Sequence, residues 1–257
     1  MSFTKRVAPA LPLLLLLLAA GCGQGGLYSE REGPTGSPPK GAVLVIHGGA
    51  WHVVGPKAVY SMRRYTVRLN RLGYSTLNID YRPGRQSLPD VLAAYDGLRR
   101  ELGPGVPICA LGTSAGGNLA LLLAESRRDV ACVVAEAPPT LIGRLTGRVR
   151  GYAREYFPTR ADMAEYSPAL HVGDLHAPVL VAQALNDPTV PYSQSTVLVD
   201  AGPRIRRIAL RPGRTPWIHV KAYGPDVARL DRAEAEFIGA AMADQHGLLA
   251  SKPDNGT

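Results

Sequence analysis

Three polar residues in this chain have the types and the order that nucleophilic catalysis requires, and Ser114 is the first of them. It stands in the centre of Gly-Thr-Ser-Ala-Gly, residues 112–116, between the apolar runs 106–111 and 119–124. This arrangement predicts a strand, a sharp turn and a helix, with glycines that let the strand and the helix pass close together. Such a turn exposes the serine hydroxyl. The pentapeptide alone also fits a structural glycine turn with a helix-capping serine, so the rest of the chain must decide.

A serine hydroxyl is a weak nucleophile at neutral pH, so this chemistry needs a base beside it and a carboxylate that orients the base. Asp187 directly follows the apolar run 179–184, and His219 lies in the loop after the last predicted strand. Loops that follow parallel strands meet at the carboxyl edge of a sheet. We therefore expect Asp187 and His219 beside Ser114.

Other candidates have simpler interpretations. Asp174 and Asp200 are alternative acids, but neither follows a strand as closely as Asp187. The remaining histidines considered lack the context of a base and are interpreted as surface or loop residues: His52, His171, His176 and His246. No His or Cys group has metal-ligand spacing, so neither a metal nor a cofactor is expected.

Apolar runs alternate with helical segments, which predicts an α/β fold with a mostly parallel sheet of about six strands flanked by helices. The predicted strands are 42–46, 74–79, 106–111, 130–135, 179–184 and 205–210. The predicted helices are 57–72, 88–102, 116–126, 193–201 and 226–245. The alternation breaks at residues 138–178, a short cap insertion. Its arginines are interpreted as a solvated helix face, with a binding role as the alternative: Arg144, Arg148, Arg150, Arg154 and Arg160.

The length of 257 residues fits one large catalytic domain, residues 41–250, behind an N-terminal leader. Residues 1–21 join a basic start to a short apolar run, which predicts a signal peptide. Because the leader ends in a lipobox-like Gly21-Cys22, Cys22 is predicted to carry a lipid that anchors the protein on the outer face of a bacterial membrane, in the periplasm or at the cell surface. Ordinary secretion with cleavage nearby is the alternative. Residues 22–40 are rich in Gly, Pro and Ser and are predicted to be a flexible tether.

The formal net charge is +8 and falls to about +6 without Lys5 and Arg6 of the leader. This charge favours anionic surfaces. The arginines are scattered and no nucleic-acid-binding motif is present, so nucleic acid is not an expected partner. Cys109 and Cys132 each lie in an apolar run and are interpreted as core thiols. A disulfide between them is the alternative in an oxidising compartment. The interpretation as thiols is preferred, because adjacent parallel strands rarely offer the geometry that a disulfide requires.

Three motifs together resemble the hormone-sensitive-lipase-like and feruloyl-esterase-like carboxylesterases, a group of the α/β-hydrolases. They are His-Gly-Gly at 47–49, the extended serine motif at 112–120, and Asp-Pro-Thr-Val-Pro at 187–191. The resemblance covers about residues 41–245. It implies an oxyanion hole formed by the N–H groups of Gly49, Ala50 and Ala115.

The resemblance and the residues together predict a serine hydrolase that cleaves small-molecule carboxylic esters through an acyl-enzyme. Because the cap insertion is short and interrupted by arginines, glycines and prolines, short acyl groups are expected. Trp51 either lines the acyl pocket or packs beneath the loop that carries it. A peptidase or amidase of the same fold is one alternative, and a non-catalytic lipoprotein that uses the fold as a binding scaffold is another.

Overall fold

A single mixed sheet forms the centre of the computed structural model, which describes residues 27–35, 37–202 and 204–250, the last six by backbone only. Within these residues the sheet has seven strands in the order β1-β3-β2-β4-β5-β6-β7. All neighbours are parallel except β1, which is antiparallel to β3. The strands are β1 Ser29–Glu32, β2 Ala42–Ile46, β3 Ser75–Ile79, β4 Ile108–Thr113, β5 Val130–Glu136, β6 Val179–Ala184 and β7 Ile205–Leu210. The predicted signal peptide and Cys22 lie outside the described residues.

Helices cover both faces of this sheet, which is why strands β2, β4, β5 and β6 are buried at every position. The helices are α1 Pro56–Tyr60, α2 Arg63–Arg71, α3 Ser87–Leu102, α4 Ala115–Ser126, α5 Gly147–Tyr156, α6 Arg160–Glu165, α7 Ser193–Ala201 and α8 Gly224–Ala250. Alternate side chains of β2 enter opposite cores: Leu44 packs on the side of α3, α4 and α7, and Val43 on the side of α2 and α8. A hairpin of β8 Pro212–Trp217 and β9 Val220–Ala222 precedes α8.

The predicted α/β architecture is confirmed, and each of the six predicted strands is present. The structure adds β1, so the prediction of a flexible tether over 22–40 is wrong for residues 29–32. This segment has the sequence Ser-Glu-Arg-Glu, which has no apolar pattern to predict a strand. It joins the sheet through backbone hydrogen bonds to β3, on the side of β3 that faces away from β2. The single helix predicted over 57–72 is two helices that meet at Ser61 and Met62.

The interpretation of Cys109 and Cys132 as free core thiols is wrong, because the structure joins them in a disulfide. A register shift between β4 and β5 leaves Ala131 without a partner and places Cys132 directly opposite Cys109. Their Cα atoms are 4.6 Å apart, within the range that a disulfide spans. The register shift is a property of the folded sheet and cannot be read from the spacing of the two cysteines.

None of the helices in the described part of the chain has the length and apolar character needed to cross a bilayer.

Candidate active site

The turn between β4 and α4 places Ser114 in a strained backbone conformation, with φ 52° and ψ −120°. Such a positive φ is uncommon for a residue with a side chain. Neighbouring glycines make the turn possible. A Cβ atom at Gly112 would lie 2.1 Å from the carbonyl oxygen of Gly116, and one at Gly116 would lie 2.2 Å from that of Ile46. The turn therefore has the close strand-to-helix crossing that the sequence predicted.

The three residues singled out by their chemistry meet at this turn. His219 Nε2 lies 3.1 Å from Ser114 Oγ, and His219 Nδ1 lies 2.8 Å from Asp187 Oδ2. With its proton on Nδ1, the imidazole donates to the carboxylate and accepts from the serine hydroxyl. Ser114 and Asp187 are both about 5% exposed, whereas the histidine side chain is 15% exposed.

The loop after β6 holds the Asp187 carboxylate at a fixed angle. The backbone N–H groups of Thr189 and Val190 donate to Oδ1 at 2.9 and 3.0 Å. Gln183 Nε2 donates to Oδ2 at 3.2 Å and to the carbonyl of Val190 at 2.9 Å. Sequence analysis missed Gln183. The available signal was a polar side chain inside an otherwise apolar buried strand.

His219 lies on the turn of the β8–β9 hairpin, where Trp217 pairs with Val220. Ile218, the other turn residue, has a positive φ of 33°. Sequence analysis predicted a loop here, and the hairpin fixes that loop against the end of the sheet.

A buried network anchors the His-Gly-Gly loop beside the serine. His47 is fully buried, its Nε2 lies 3.0 Å from Asp80 Oδ1, and its ring stacks on Tyr81 with centroids 4.3 Å apart. Asp80 Oδ2 also accepts the N–H of Gly55 at 2.8 Å, and Tyr81 donates its hydroxyl to the carbonyl of His47 at 3.0 Å. Sequence analysis missed Asp80 and Tyr81, which directly follow β3 at the same sheet edge as the site.

The predicted oxyanion-hole donors lie along this loop and at the start of α4. A Cβ atom at Gly48 would lie 3.1 Å from Ser114 Cβ, so the loop passes directly beside the serine. Over the described residues, the N–H groups of Gly49, Ala50 and Ala115 have no hydrogen-bond acceptor. Ala115 is the first residue of α4, where N–H groups have no partner within the helix. These unpaired donors are available to an anionic oxygen.

Trp51 is completely buried and does not line an open pocket. Its Nε1 donates to Asn118 Oδ1 at 3.2 Å, and its ring packs edge-on against Phe157 at 5.2 Å. Asn118 Nδ2 in turn donates to the carbonyls of Pro139 and Tyr166, both at 2.9 Å. Trp51 therefore joins the oxyanion loop to the cap insertion from beneath. This placement agrees with the second of its two sequence interpretations, packing beneath the loop, and not with a side chain that lines the acyl pocket.

The cap insertion places α5 between the loops of the site. At its start, a Cβ atom placed on Gly147 would lie 3.9 Å from the carbonyl oxygen of Pro188, which belongs to the acid loop. At its end, Tyr156 hydrogen-bonds His52 Nδ1 at 2.6 Å and packs against Gly84. The helix has 10 residues and is about 15 Å long. Arg144, Arg148, Arg150, Arg154 and Arg160 are all exposed, which agrees with a solvated face.

A buried acidic cluster lies beneath the serine turn. The carbonyl of Glu136 accepts the N–H of Ser114 at 2.7 Å, and its carboxylate accepts the hydroxyl of Tyr65 at 2.6 Å. Glu234 is also fully buried and ion-pairs with Arg68. Burial, together with the neighbouring Glu136 carboxylate, raises the pKa of Glu234 well above its usual range. The cluster links α2 and α8 to the strand that supports Ser114.

The alternative site residues do not join this arrangement. Asp174 and Asp200 are exposed and make no hydrogen bond to His219. His52 is exposed, and His171 Nε2 pairs with the carbonyl of Ala164 at 3.0 Å. The His246 side chain lies outside the described ones. No cluster of three His, Cys, Asp or Glu residues suited to a metal occurs in the described ranges.

Comparison with known proteins gives a family match and many similar structures. The model of the prolyl oligopeptidase family matches residues 76–202. An esterase/lipase from an uncultured bacterium has a TM-score of 0.66 at 19% identity, covering 86% of this chain and 82% of that one. The protein has the α/β-hydrolase fold. A puromycin-hydrolysing peptidase from Mycobacterium tuberculosis has a TM-score of 0.68 at 19% identity, covering 84% of this chain and 37% of that one.

Among curated proteins, this chain is similar to an uncharacterised protein of Mycobacterium tuberculosis, at 31% identity over 201 residues. The match covers 74% of this chain and 66% of the relative's length. The family match and the esterase and peptidase neighbours support a hydrolase of this fold.

Proposed function

We propose that the protein is a serine hydrolase that cleaves carboxylic esters with short acyl groups. The observation that carries this proposal is the 3.1 Å contact between His219 Nε2 and Ser114 Oγ, with Asp187 held on the far side of the imidazole. A fixed nucleophile, base and orienting acid are the parts that acyl transfer needs.

In the proposed reaction, His219 accepts the hydroxyl proton as Ser114 Oγ attacks the ester carbonyl carbon. The N–H groups of Gly49, Ala50 and Ala115 bind the resulting oxyanion, and Asp187 stabilises the imidazolium. His219 then returns the proton to the departing alkoxide, which leaves an acyl-serine and a free alcohol. Water then attacks the acyl carbon while His219 takes one of its protons. As the carbon–Oγ bond of the intermediate breaks, His219 returns that proton to Ser114 Oγ, which restores the serine and releases the carboxylic acid.

Short acyl groups are supported by what surrounds the site. Trp51 is buried, so no deep pocket opens beneath the oxyanion loop at this residue. The exposed apolar side chains next to the catalytic loops are Val53 after the oxyanion loop, Leu185 before the acid and Ile218 before the histidine, with exposures of 52%, 49% and 37%. They offer a limited apolar surface rather than an enclosed tunnel.

Amide or peptide hydrolysis is the second candidate, because the family match is to a peptidase family and one structural neighbour hydrolyses puromycin. The same triad can cleave both bonds. Comparing p-nitrophenyl acetate with a matched p-nitroanilide separates the two: we expect hydrolysis of the ester and little of the anilide. A higher kcat/KM for the anilide would favour the peptidase.

A fluorophosphonate probe tests the hydrolase proposal against a non-catalytic scaffold. We expect it to label the purified protein at Ser114 and to leave a folded Ser114→Ala variant unlabelled. Thr113→Val is a matched control, since it changes the neighbouring side chain but retains the nucleophile. An unlabelled wild-type protein with normal circular dichroism would support the scaffold.

We also propose that Cys22 carries a lipid and that the domain lies on the outer face of a bacterial membrane. This proposal is supported by the leader composition and by Gly21-Cys22. We expect Cys22→Ser to move the protein from the membrane fraction to the soluble fraction. Mass spectrometry should detect acyl groups only on the wild type. An unmodified wild-type Cys22 would contradict it.

A further inference from the structure

One surface combines exposed apolar side chains with unpaired cations, and it lies where the N-terminal segment joins the fold. Four large apolar residues are exposed there, with exposed fractions from 39% to 64%: Leu27, Tyr28, Val54 and Tyr60. We call these residues the apolar cluster. Contiguous exposed apolar groups of this kind mark interaction sites more often than single exposed residues do.

Contacts around Asp80 bring the members of the apolar cluster together. The backbone N–H of Asp80 donates to the carbonyl of Tyr28 at 3.0 Å, and its carboxylate accepts the N–H of Gly55, next to Val54, at 2.8 Å. Two residues before Asp80, on β3, Asn78 Nδ2 donates to the carbonyl of Val59 at 2.8 Å, which fixes the end of α1 and Tyr60 against the same edge of the sheet.

Basic residues continue this surface along α1 and α2. Lys57, Arg63 and Arg71 are exposed, and within the described chain no carboxylate lies at ion-pair distance from them. Arg64 and Arg68 are partly neutralised by the acidic groups of β5 and α8. A groove of about 670 Å³ runs along α2, and Tyr60 and four arginines of this helix are part of its lining: Arg63, Arg64, Arg68 and Arg71.

We propose that the apolar cluster and this basic stripe form a docking surface for a bilayer that contains anionic phospholipids. Apolar and tyrosine side chains enter the boundary between head groups and acyl chains, while lysine and arginine side chains bind the lipid phosphates. A nucleic acid would use the cations but would leave the apolar cluster in water, so the combination favours a membrane.

The course of the chain supports the same partner. β1 runs along this surface, and Asn70 on α2 donates to Glu32 at 2.8 Å. Cys22 precedes Leu27 by five residues, which can span at most about 18 Å. The inference rests on the proposed Cys22 lipid only for this proximity, and it does not depend on hydrolysis. A lipid on Cys22 would hold this surface, rather than the opposite edge of the sheet, next to the membrane.

Vesicle binding of the full chain tests the surface without the lipid. In a Cys22→Ser background, the double variant Arg63→Glu/Arg71→Glu is compared with Arg128→Glu/Arg206→Glu, which makes the same change in net charge at other exposed sites. We expect the first pair to weaken binding to vesicles of 30% phosphatidylglycerol in phosphatidylcholine about tenfold or more, and the control pair to change it by about twofold or less. Any contribution of the N-terminal segment is common to all variants. Equal losses in both pairs would overturn the proposal.

A fluorescent label tests whether the apolar cluster enters the bilayer. In the same Cys22→Ser background, an environment-sensitive dye on Tyr60→Cys is compared with the same dye on Leu170→Cys, which replaces an equally prominent apolar side chain, 57% exposed, beyond α6. Cys109 and Cys132 are paired and do not react. We expect a blue shift and quenching by spin-labelled lipid only at position 60. A dye that stays in water at position 60 would overturn membrane docking, whatever the ester assays show.

Discussion

At the scale of single residues, Asp187 owes its orientation to three donors rather than to its position in the sequence. Two backbone N–H groups hold Oδ1, and Gln183 shares Oδ2 with His219. A carboxylate fixed in this way keeps the imidazole proton on Nδ1, so that Nε2 can accept the proton of Ser114.

We therefore expect Asp187→Asn to lower kcat for p-nitrophenyl acetate by about 10³- to 10⁴-fold, because the amide favours the wrong histidine tautomer. Asp174→Asn is the matched control and should leave the rate within about twofold, since Asp174 is exposed and makes no hydrogen bond to His219. Initial rates are measured beside circular dichroism. A silent Asp187→Asn with a crippled Asp174→Asn would reverse the assignment of the acid.

His219→Ala should abolish ester hydrolysis, because Ser114 Oγ then loses the group that accepts its proton. Initial rates with p-nitrophenyl acetate measure the loss. A folded His219→Ala variant with the wild-type rate would exclude His219 as the base.

Glu125 should make the stability of the folded protein depend on pH. Burial, together with the Asp174 carboxylate, raises the pKa of Glu125 to about 8 in the folded protein, against about 4.3 in an unfolded chain. The folded state thus holds the proton more tightly, so this contribution to stability is complete below about pH 4.3 and is lost as the pH rises through about 8. We expect Glu125→Gln to match wild type in denaturant midpoint at pH 4 and to exceed it at pH 8.5.

Glu236→Gln, at an exposed position of α8, is the control for this comparison and should not change the midpoint at either pH. If Glu125→Gln were equally stable relative to wild type at both pH values, the carboxyl would not be buried in its neutral form.

At the scale of elements, the crossing of β4, α4 and β2 depends on backbone atoms that nearly touch. A Cβ atom at Gly116 would meet the carbonyl oxygens of Ile46 and His47 at 2.2 and 2.4 Å. Backbone cannot rotate aside as a side chain can. We expect Gly116→Ala to destabilise the fold by several kcal/mol, measured by urea unfolding. Gly151→Ala, in open space on α5, should instead leave stability unchanged or raise it by about 1 kcal/mol.

The disulfide between β4 and β5 encloses α4 and the serine turn. It links residues 23 positions apart, and a loop of that length corresponds to about 3 kcal/mol of stabilisation through the unfolded state. Cys109→Ala/Cys132→Ala should therefore lower the free energy of unfolding by that order. Under reducing conditions wild type and variant should converge. A variant as stable as the oxidised wild type would show that the two sulfurs are not bonded in solution.

Sequence reasoning succeeded for elements whose physics is local. Apolar runs predicted β2 to β7, of which β2, β4, β5 and β6 are buried on both faces, and the glycine spacing predicted the serine turn. It failed where long-range pairing decides: β1 has a polar sequence and is a strand only because β3 offers a free backbone, and the cysteine pairing depends on a register shift. Gln183, Asp80 and Trp51 have roles set by neighbours distant in sequence, which one sequence does not reveal.

At the scale of the whole molecule, the cap insertion borders the proposed active site, and we expect it to limit which substrates can approach. α5 lies between the acid loop and His52, its arginines face solvent, and Phe157 and Trp51 seal the space beneath it. The remaining apolar surface beside the triad is small. Each methylene that this surface covers contributes about 0.8 kcal/mol, and longer chains gain nothing further.

A series of p-nitrophenyl esters from acetate to palmitate should therefore show kcat/KM rising over the first few carbons and falling beyond about six. A maximum at ten carbons or more, or a rate that increases sharply above the solubility limit of the ester, would show that the cap opens into a larger acyl site.

The antiparallel strand β1 also covers a side of the sheet that would otherwise be open to another molecule. Ser29 to Glu32 occupy the hydrogen-bonding groups of β3 on the side away from β2, and the far edge strand β7 carries Arg206 and Arg207. Without β1, the backbone of residues 75–79 would be open to pairing with the same strand of another copy. A shortened chain that starts at residue 41 would thus retain every residue of the site and yet be prone to edge-to-edge aggregation. The four polar residues of β1 protect the sheet from its own copies.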